Sequence, residues 1–442
     1  MPAQVDTSIF DLHHAPEPEL IDRCVHCGLC LPTCPTYVLW GREMASPRGR
    51  IRLMQLGTQG QVAMNGNFVQ HFDTCLGCMA CMTACPSGVQ YDKLIEATRF
   101  QIESRYHRTF SQRWVRKLIF SLFPYPERLK QLLKPLLWYQ RTGLQKLLRG
   151  SGLLRLLPAS LRSMESVLPD LKASFNQDNS RLPAITPPAG LRRRRVGVLL
   201  GCVQQVFFSE VNAATIRVLA AEGCEIVAPA DQSCCGALMV HAGEEERALA
   251  FARRNIDAFE KAEVDTIVIN AAGCGSSMKD YGHLLRDDPA YAERAKAFAG
   301  KCRDISEVLA ELPPRAARKP LPLRVAYHDA CHLQHAQRIR QQPRDLLRSI
   351  PGVEILEIPE SAICCGSAGI YNLVEPHAAA ELGERKVQHI LSLKPDVVVS
   401  SNPGCLLQLG SMLQSKGSNI PVMHIVELLD ASERGEAAFA RK

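Results

Sequence analysis

Two cysteine runs near the N-terminus constrain this chain more than any other feature. The first is Cys24-x-x-Cys27-x-x-Cys30-x-x-x-Cys34-Pro35; the second is Cys75-x-x-Cys78-x-x-Cys81-x-x-x-Cys85-Pro86. This is the ligand spacing of two-cluster ferredoxins, in which the fourth cysteine of each run serves the other cluster. A three-residue repeat of cysteines wraps the backbone around one corner of a cubane, so three thiolates reach three irons. The fourth lies too far on to close the same cube. The spacing therefore assigns Cys24, Cys27, Cys30 and Cys85 to one [4Fe–4S] cluster, and Cys75, Cys78, Cys81 and Cys34 to a second. Gly28 and Gly77 are expected to allow close backbone approach. Pro35 and Pro86 are expected to keep helix from running back through the ligands. Structural zinc would need two CxxC pairs rather than two runs of four.

The cysteine count, 18 in all, makes compartment matter. The N-terminal residues lack a basic stretch followed by an apolar one, so no secretory signal is expected. No apolar run is long enough to span a bilayer. A cytoplasmic chain is expected, and disulfides are rare there. That many thiols point instead to metal.

The segment between the runs has helical periodicity after Ser46-Pro47 and carries Arg42, Arg48, Arg50 and Arg52. Two readings of these arginines stand: charge compensation for anionic clusters, or a solvated helix face. The stretch after Cys85, YDKLIEATRFQIESRYH, reads as an amphipathic helix that closes the domain.

From Arg99 to Arg162 the chain holds fourteen Arg plus Lys against two Glu, more than the whole net charge of +7. Leucines recur at helical spacing, broken by Pro124, Pro126, Pro135 and Pro158. Basic amphipathic helices suit an anionic membrane surface or a partner's groove. They also suit packing on the protein itself. No nucleic-acid fold signature accompanies the charge, so a nucleic-acid partner is not expected. A polar linker follows over 170–195 and ends in Arg192-Arg193-Arg194-Arg195.

The C-terminal half repeats itself. RVGVLLGC, QSCCGA and VDTIVINAAGC in the first copy answer RVAYHDAC, AICCGSAG and DVVVSSNPGC in the second. Cys202, Cys234, Cys235 and Cys274 correspond to Cys331, Cys364, Cys365 and Cys405, at offsets of 129, 130, 130 and 131. Short β-branched runs alternate with helical ones, which implies βαβαβ units with parallel sheets. The cysteines fall just beyond the strands' carboxyl ends, where open α/β sheets place ligands. Gly236 and Gly366 are expected to turn each Cys-Cys pair towards one place. Cys224 and Cys302 have no mates and read as buried apolar thiols. His328, Asp329, His332 and His335 flank Cys331 and are the best candidates for acid–base catalysis, but read first as donors to thiolates or as surface residues. No catalytic residue is assigned, and no nucleotide, flavin or nicotinamide motif is evident.

The expected architecture is thus a multidomain α+β chain. A mostly helical ferredoxin-type domain spans 1–105 and a basic helical segment with its linker spans 106–192. Two α/β Cys-Cys-Gly domains follow over 193–315 and 320–432.

The repeat resembles the Cys-Cys-Gly domain of heterodisulfide reductases, with one departure. That family's motif ends in CxxC, whereas Cys274 is followed by Gly275-Ser276-Ser277 and Cys405 by Leu406-Leu407-Gln408. The chain as a whole resembles the iron–sulfur subunits of glycolate oxidases. The carrying stretches are CVHCGLCLPTCPTY, SPRGRIRLM, CLGCMACMTACPSGVQY, YHDACHLQHAQ, CCGSAGIYNL and SNPGC. The resemblance implies an electron-transfer subunit beside flavin-containing 2-hydroxy-acid dehydrogenase subunits that oxidise glycolate to glyoxylate. Electrons would pass towards a quinone, with the chain peripheral on the inner membrane. It implies two [4Fe–4S] clusters, with a further iron–sulfur cluster open in the Cys-Cys-Gly domains. Alternatives are an iron–sulfur subunit of a lactate or glycerol-3-phosphate dehydrogenase, or a thiol/disulfide reductase.

Overall fold

The computed structural model describes residues 8–157, 159–166, 168 and 182–436. Pro158 and residues 170–181 of the expected polar linker lie outside the described residues. The N-terminal region is helical around a core that includes Phe10, Leu20, Met54, Phe68, Phe72, Leu94 and Ile95. The helix expected after Ser46 runs Pro47–Thr58; the Ser46 hydroxyl caps it by accepting from the Gly49 N–H at 3.1 Å.

The helix after the second cysteine run, Tyr91–Arg105, differs from the amphipathic expectation. Its polar residues Arg99 and Gln101 are buried with the apolar ones. The reason is that it has structure on several sides. Gln101 holds the N-terminal segment, accepting from the Asp11 N–H at 2.9 Å. Arg99 donates to the Phe72 carbonyl at 3.2 Å. The helix Ala237–Ala242 of the next domain packs against it as well.

The basic segment forms helices Phe110–Leu122, Pro126–Arg141, Leu144–Ser151 and Ala159–Ser166. Pro135 does not break the second of them, contrary to expectation. Pro135 and Gln131, whose carbonyl loses its donor, are both exposed, so water can take the donor's place.

The C-terminal half contains two sheets. The first orders its strands β1 (Ile185–Thr186), β3 (Cys224–Val227), β2 (Arg194–Val198), β4 (Thr266–Ile269) and β5 (Cys302–Asp304); only β1 is antiparallel. The second orders β7 (Val353–Glu357), β6 (Leu323–Tyr327), β8 (Val397–Ser400) and β9 (Val422–His424), all parallel. Each last strand ends in a capping box, Asp304 with Glu307 and His424 with Glu427, that starts a closing helix.

The closing helices are exchanged. Ile425–Arg434, which ends the second unit, packs on Ser209–Ala221 of the first, and Arg217 donates to both Asp430 oxygens at 2.8 Å. Ile305–Glu311, which ends the first, packs on Gln341–Arg348 of the second. Val198, Ile226, Val325, Val399 and Leu428 therefore share one core. At the sheets' carboxyl edges the Ala272 N–H donates to the Ser401 carbonyl at 3.0 Å. This seam sits two residues before Cys274 and four before Cys405.

Candidate metal centres

All eighteen cysteines carry free thiols. In the N-terminal region they form two interlocked groups. Burial raises the Cys24 thiol and Cys85 adds to it; burial likewise raises Cys30, to about 11. Cys24, Cys30 and Cys85 are half-buried and Cys27 is exposed. The other group, Cys34, Cys75, Cys78 and Cys81, is buried. Burial raises Cys81 well above its usual value, and Cys78, Cys75 and Cys34 act on it in the same direction. The structure thus brings each fourth cysteine towards the opposite run. Gly28 and Gly77 adopt φ of +87° and +63°. His26 and Met79 also take positive φ, which the sequence did not announce.

The four arginines between the runs divide. Arg48 is partly exposed and pairs with Glu43 at 2.6 Å. Arg42 and Arg52 are exposed. Arg50 is 1 % exposed, 4.0 Å from the Cys34 Sγ, with its remaining hydrogen bonds to His71 O, Thr36 and Thr74. A buried guanidinium with only neutral oxygens around it needs anionic sulfur. Cys75 answers this. Burial opposes its thiolate, but Arg50 and then Arg99 outweigh burial and hold the thiol below its usual value. Four convergent thiols beside a buried cation, with backbone turned around them, fit an anionic iron–sulfur cluster.

In the repeats, the Cys234 and Cys202 sulfurs lie 3.5 Å apart. Cys235 sits between Cys234 and Cys274, whose thiols hydrogen-bond to it and hold it well below its usual value. In the second copy Cys364, Cys405 and His328 do the same for Cys365. Gly236 and Gly366 provide the expected turns, with φ of +79° and +89°. A Cβ on Gly366 would lie 2.5 Å from the Ala379 carbonyl oxygen, so no side chain fits. Cys224 and Cys302 are fully buried on β3 and β5, away from these sets.

The two sets differ in their surroundings. The residue after β2 is Leu199 and the residue after β6 is His328; each N–H bonds to the neighbouring strand, at 3.1 Å and 2.8 Å. Gly236 packs over Ala248 and Gly366 over Ala379. Seven residues on from those alanines stand Asn255 and Lys386, both buried. Cys202 is followed by Val203, whereas Cys331 is followed by His332, whose Nδ1 lies 3.5 Å from the Cys331 Sγ. His328, Cys365 and Cys405 present possible ligand atoms within 4.8 Å of one another. The first set is surrounded by neutral groups and the second by basic ones.

Of the four residues flanking Cys331, His328 and His332 therefore reach cysteines. Asp329 does not: it is locked in a bidentate pair with Arg344, at 2.7 and 2.8 Å. His335 bonds to Thr83 at 2.7 Å and to the Ala362 carbonyl at 3.2 Å, tying the ferredoxin-type region to the second unit. Ser277 and Gln408, three residues after Cys274 and Cys405, do not replace a fifth cysteine. Ser277 lines a separate polar cavity, and the Gln408 amide is occupied by Asn372 and the Ala379 carbonyl.

Sequence reasoning missed Lys386 and Arg99. Lys386 carried a signal: it falls on the period of Ala379, Leu382, Val387 and Ile390, the buried face of its helix. It also missed a junction. Cys78 shares one buried cluster with Cys331, Cys364 and Ile363, and Cys331 adds to the burial that raises the Cys78 thiol.

A ferredoxin-type region with buried thiols, joined to two cysteine-bearing parallel sheets, defines an iron–sulfur protein of the electron-transfer class. Family profiles agree: a 4Fe-4S dicluster domain matches residues 20–89 and a cysteine-rich domain matches 196–279 and 325–410. The linker region of the glycolate oxidase iron-sulfur subunit matches residues 111–168. The chain is 41 % identical to the "Probable glycolate oxidase iron-sulfur subunit" of Bacillus subtilis, covering 93 % of this chain and 94 % of the relative. It is 34 % identical to the "Glycolate oxidase iron-sulfur subunit" of Escherichia coli over the same shares. "Lactate utilization protein A" of Halalkalibacterium halodurans is 30 % identical over 54 % of this chain and 98 % of its own. The chain belongs to the glycolate oxidase iron-sulfur subunit family.

Proposed function

We propose that this chain is the electron-transfer subunit of a complex oxidising glycolate to glyoxylate, with the oxidation itself on flavin-containing partner subunits. Cys24, Cys27, Cys30 and Cys85 hold one [4Fe–4S] cluster, and Cys34, Cys75, Cys78 and Cys81 hold a second. Two units of βαβαβ type follow, and the set Cys331, Cys364, Cys365 and Cys405 holds a further iron–sulfur centre. Cys202, Cys234, Cys235 and Cys274 form the equivalent, more apolar set. The clusters supply one-electron steps. The protein holds thiolates in place and balances their charge through Arg50 and Lys386.

The observation that carries this reading is the junction of Cys78 with Cys331 and Cys364 in one buried cluster. It makes the path from the ferredoxin-type region into the second unit contiguous. The other end of the path is exposed: Cys27 lies at the surface between Val25 and Leu29, which are 67 % and 57 % exposed. That apolar patch suits a docked flavoprotein. In the anaerobic complex, glycolate should reduce the paramagnetic centres of this chain; Val25→Glu with Leu29→Glu should abolish co-purification and glycolate-driven reduction. Dithionite should still reduce the variant. Reduction by glycolate without any flavoprotein would refute the reading.

We further propose peripheral association with an anionic membrane. No helix among the described residues is long and apolar enough to cross one. Phe110, Trp114 and Trp138 are exposed on the basic segment, and Arg113, Lys117, Lys134 and Lys146 are exposed nearby. Arg116, by contrast, is committed internally, to Glu103 at 2.8 Å. Each surface cation is worth about 1 kcal/mol near anionic lipid. Changing those four to Glu should release the protein from anionic vesicles at low salt; unchanged co-sedimentation would exclude charge-driven attachment.

A further inference from the structure

The N-terminal arm carries a pair of histidines that the electron path does not use. Phe10 anchors the arm in the helical core, and the buried Gln101 fixes the backbone that follows. The Gln101 amide oxygen accepts from the Asp11 N–H at 2.9 Å; its nitrogen donates to the Asp11 carboxylate at 2.6 Å and to the His13 carbonyl at 2.5 Å. The Asp11 carboxylate in turn accepts from the His13 N–H at 2.9 Å. His14 is held at a φ of +52°, a left-handed conformation that a residue with a Cβ keeps only when its surroundings impose it. The two imidazole rings then stand 4.1 Å apart, with 29° between their planes.

Both rings meet one carboxylate of the first Cys-Cys-Gly unit. Glu245 begins the helix Glu245–Lys261; one of its oxygens lies 3.1 Å from the His13 Nε2, and the other contacts the His14 Nδ1. These three side chains present ligand atoms within 4.8 Å of one another. The other nitrogen of His14, Nε2, lies 2.7 Å from the Asp287 carboxylate. A neutral imidazole carries one N–H, so it cannot donate to Glu245 and Asp287 together. One further cation is therefore required among them, either a proton or a metal ion at the Nδ1. The placing of Asp287 is the one that metal-bound histidines use, in which the outer nitrogen donates to a carboxylate and fixes the ring. Arg286 pairs with Asp287 at 3.4 Å, and Glu245 is left to the histidines. The His14 and Glu245 side chains are each 13 % exposed and His13 is 69 % exposed, so an ion can enter from solvent and keep a water.

We propose that the His13 Nε2, the His14 Nδ1 and the Glu245 carboxylate bind a divalent transition-metal ion, zinc by preference, with Asp287 orienting His14 and water completing the coordination. Two imidazoles and one carboxylate form a donor set that suits zinc, whereas magnesium and calcium take oxygen ligands. No cysteine lies in the set, so the ion is separate from the iron–sulfur chemistry. Its place gives it a task. His13 and His14 belong to the arm that packs on the ferredoxin-type region, while Glu245 and Asp287 belong to the first Cys-Cys-Gly unit. The ion bolts one to the other. Because the ligands come together only when arm and unit are docked, binding stabilises the docked form.

The test uses the full-length protein with its iron–sulfur centres loaded anaerobically, dialysed against zinc chloride in excess magnesium. Elemental analysis gives zinc per chain, and X-ray absorption at the zinc edge gives its ligands. Wild type should hold about one zinc ion with nitrogen and oxygen ligands only. His13→Gln and Asp287→Asn should each weaken that binding by at least about tenfold, the usual cost of losing a ligand or its outer partner. Both side chains are mostly exposed, so the fold should be kept, with iron content and paramagnetic resonance spectra unchanged. Zinc should raise the unfolding temperature of wild type and leave that of both variants unmoved. The proposal is overturned if all the bound zinc has sulfur ligands, or if both variants bind it as wild type does. Wild type that binds no zinc, and is stabilised at this junction only as pH falls, would overturn it in favour of a shared proton.

Discussion

Replacing Cys78 by Ala is expected to remove one cluster, about four irons, and to stop electrons from leaving the ferredoxin-type region. Flow from glycolate to any acceptor beyond the second unit should fall by more than about hundredfold, since a contact needed for transfer is lost rather than weakened. The size of the effect follows from position. Cys78 is the thiol at the junction, packed with Cys331 and Cys364. The fold should survive, because the neighbouring core of Phe72, Leu94 and Ile95 does not depend on that sulfur. Iron analysis, paramagnetic resonance of the remaining cluster and glycolate-driven reduction of the second unit's centre check the three parts. Full electron flow in the variant would place the exit elsewhere.

The second large effect is expected in the Cys-Cys-Gly units, and it is unequal. Cys365→Ser should cost about four irons and abolish delivery to the acceptor, whereas Cys235→Ser should cost less of both. The reason is the difference in surroundings. His328, His332 and Lys386 stand around the second set, while Leu199, Val203 and Asn255 stand around the first. Anionic centres are stabilised in a low-dielectric interior by a nearby cation such as Lys386 and by ring nitrogens that can hydrogen-bond the thiolates, and are penalised without them. His328→Leu should lower the midpoint potential of the second centre and leave the ferredoxin-type potentials unmoved. Equal iron loss and equal potentials in the two cysteine variants would refute the asymmetry. The whole chain is the right material: removing the ferredoxin-type region would bare the buried contacts of Cys331 and His335.

Much of this was legible because cysteine chemistry is local. Spacing led to the expectation that Cys85 joins the first run and Cys34 the second, and the structure has Cys85 acting on Cys24 and Cys34 on Cys81; the register between the repeats aligned both Cys-Cys-Gly turns. The strand runs at 266–269 and 397–400 stood out because β-branched residues are contiguous there, and the one at 195–199 because it is apolar after the arginines. What stayed hidden was decided by tertiary partners. β5 and β9 are three residues each, too short to show a period. Tyr91–Arg105 carries polar residues that looked solvent-facing, but Gln101 and Arg99 serve other segments. Arg50 could not be told from Arg48 by sequence, since burial of one guanidinium depends on Thr36 and Thr74 arriving from elsewhere. The cavity of about 430 Å³ that is lined by both Cys-Cys-Gly cysteine sets has no sequence signature at all. It arises from the seam between Ala272 and Ser401 and from a roof contributed by a distant segment.

The exchanged closing helices bear on how the chain comes apart. Each unit completes its core with a helix that its sister also requires, and Arg217 and Asp430 clasp across that exchange. Neither half then has a denatured form compatible with an intact neighbour. Heating or denaturant should melt both sheets in a single cooperative transition. Amide exchange in β2 and β6 should slow to one common rate, and a protease should find no stage at which one cysteine set is released while the other stays folded.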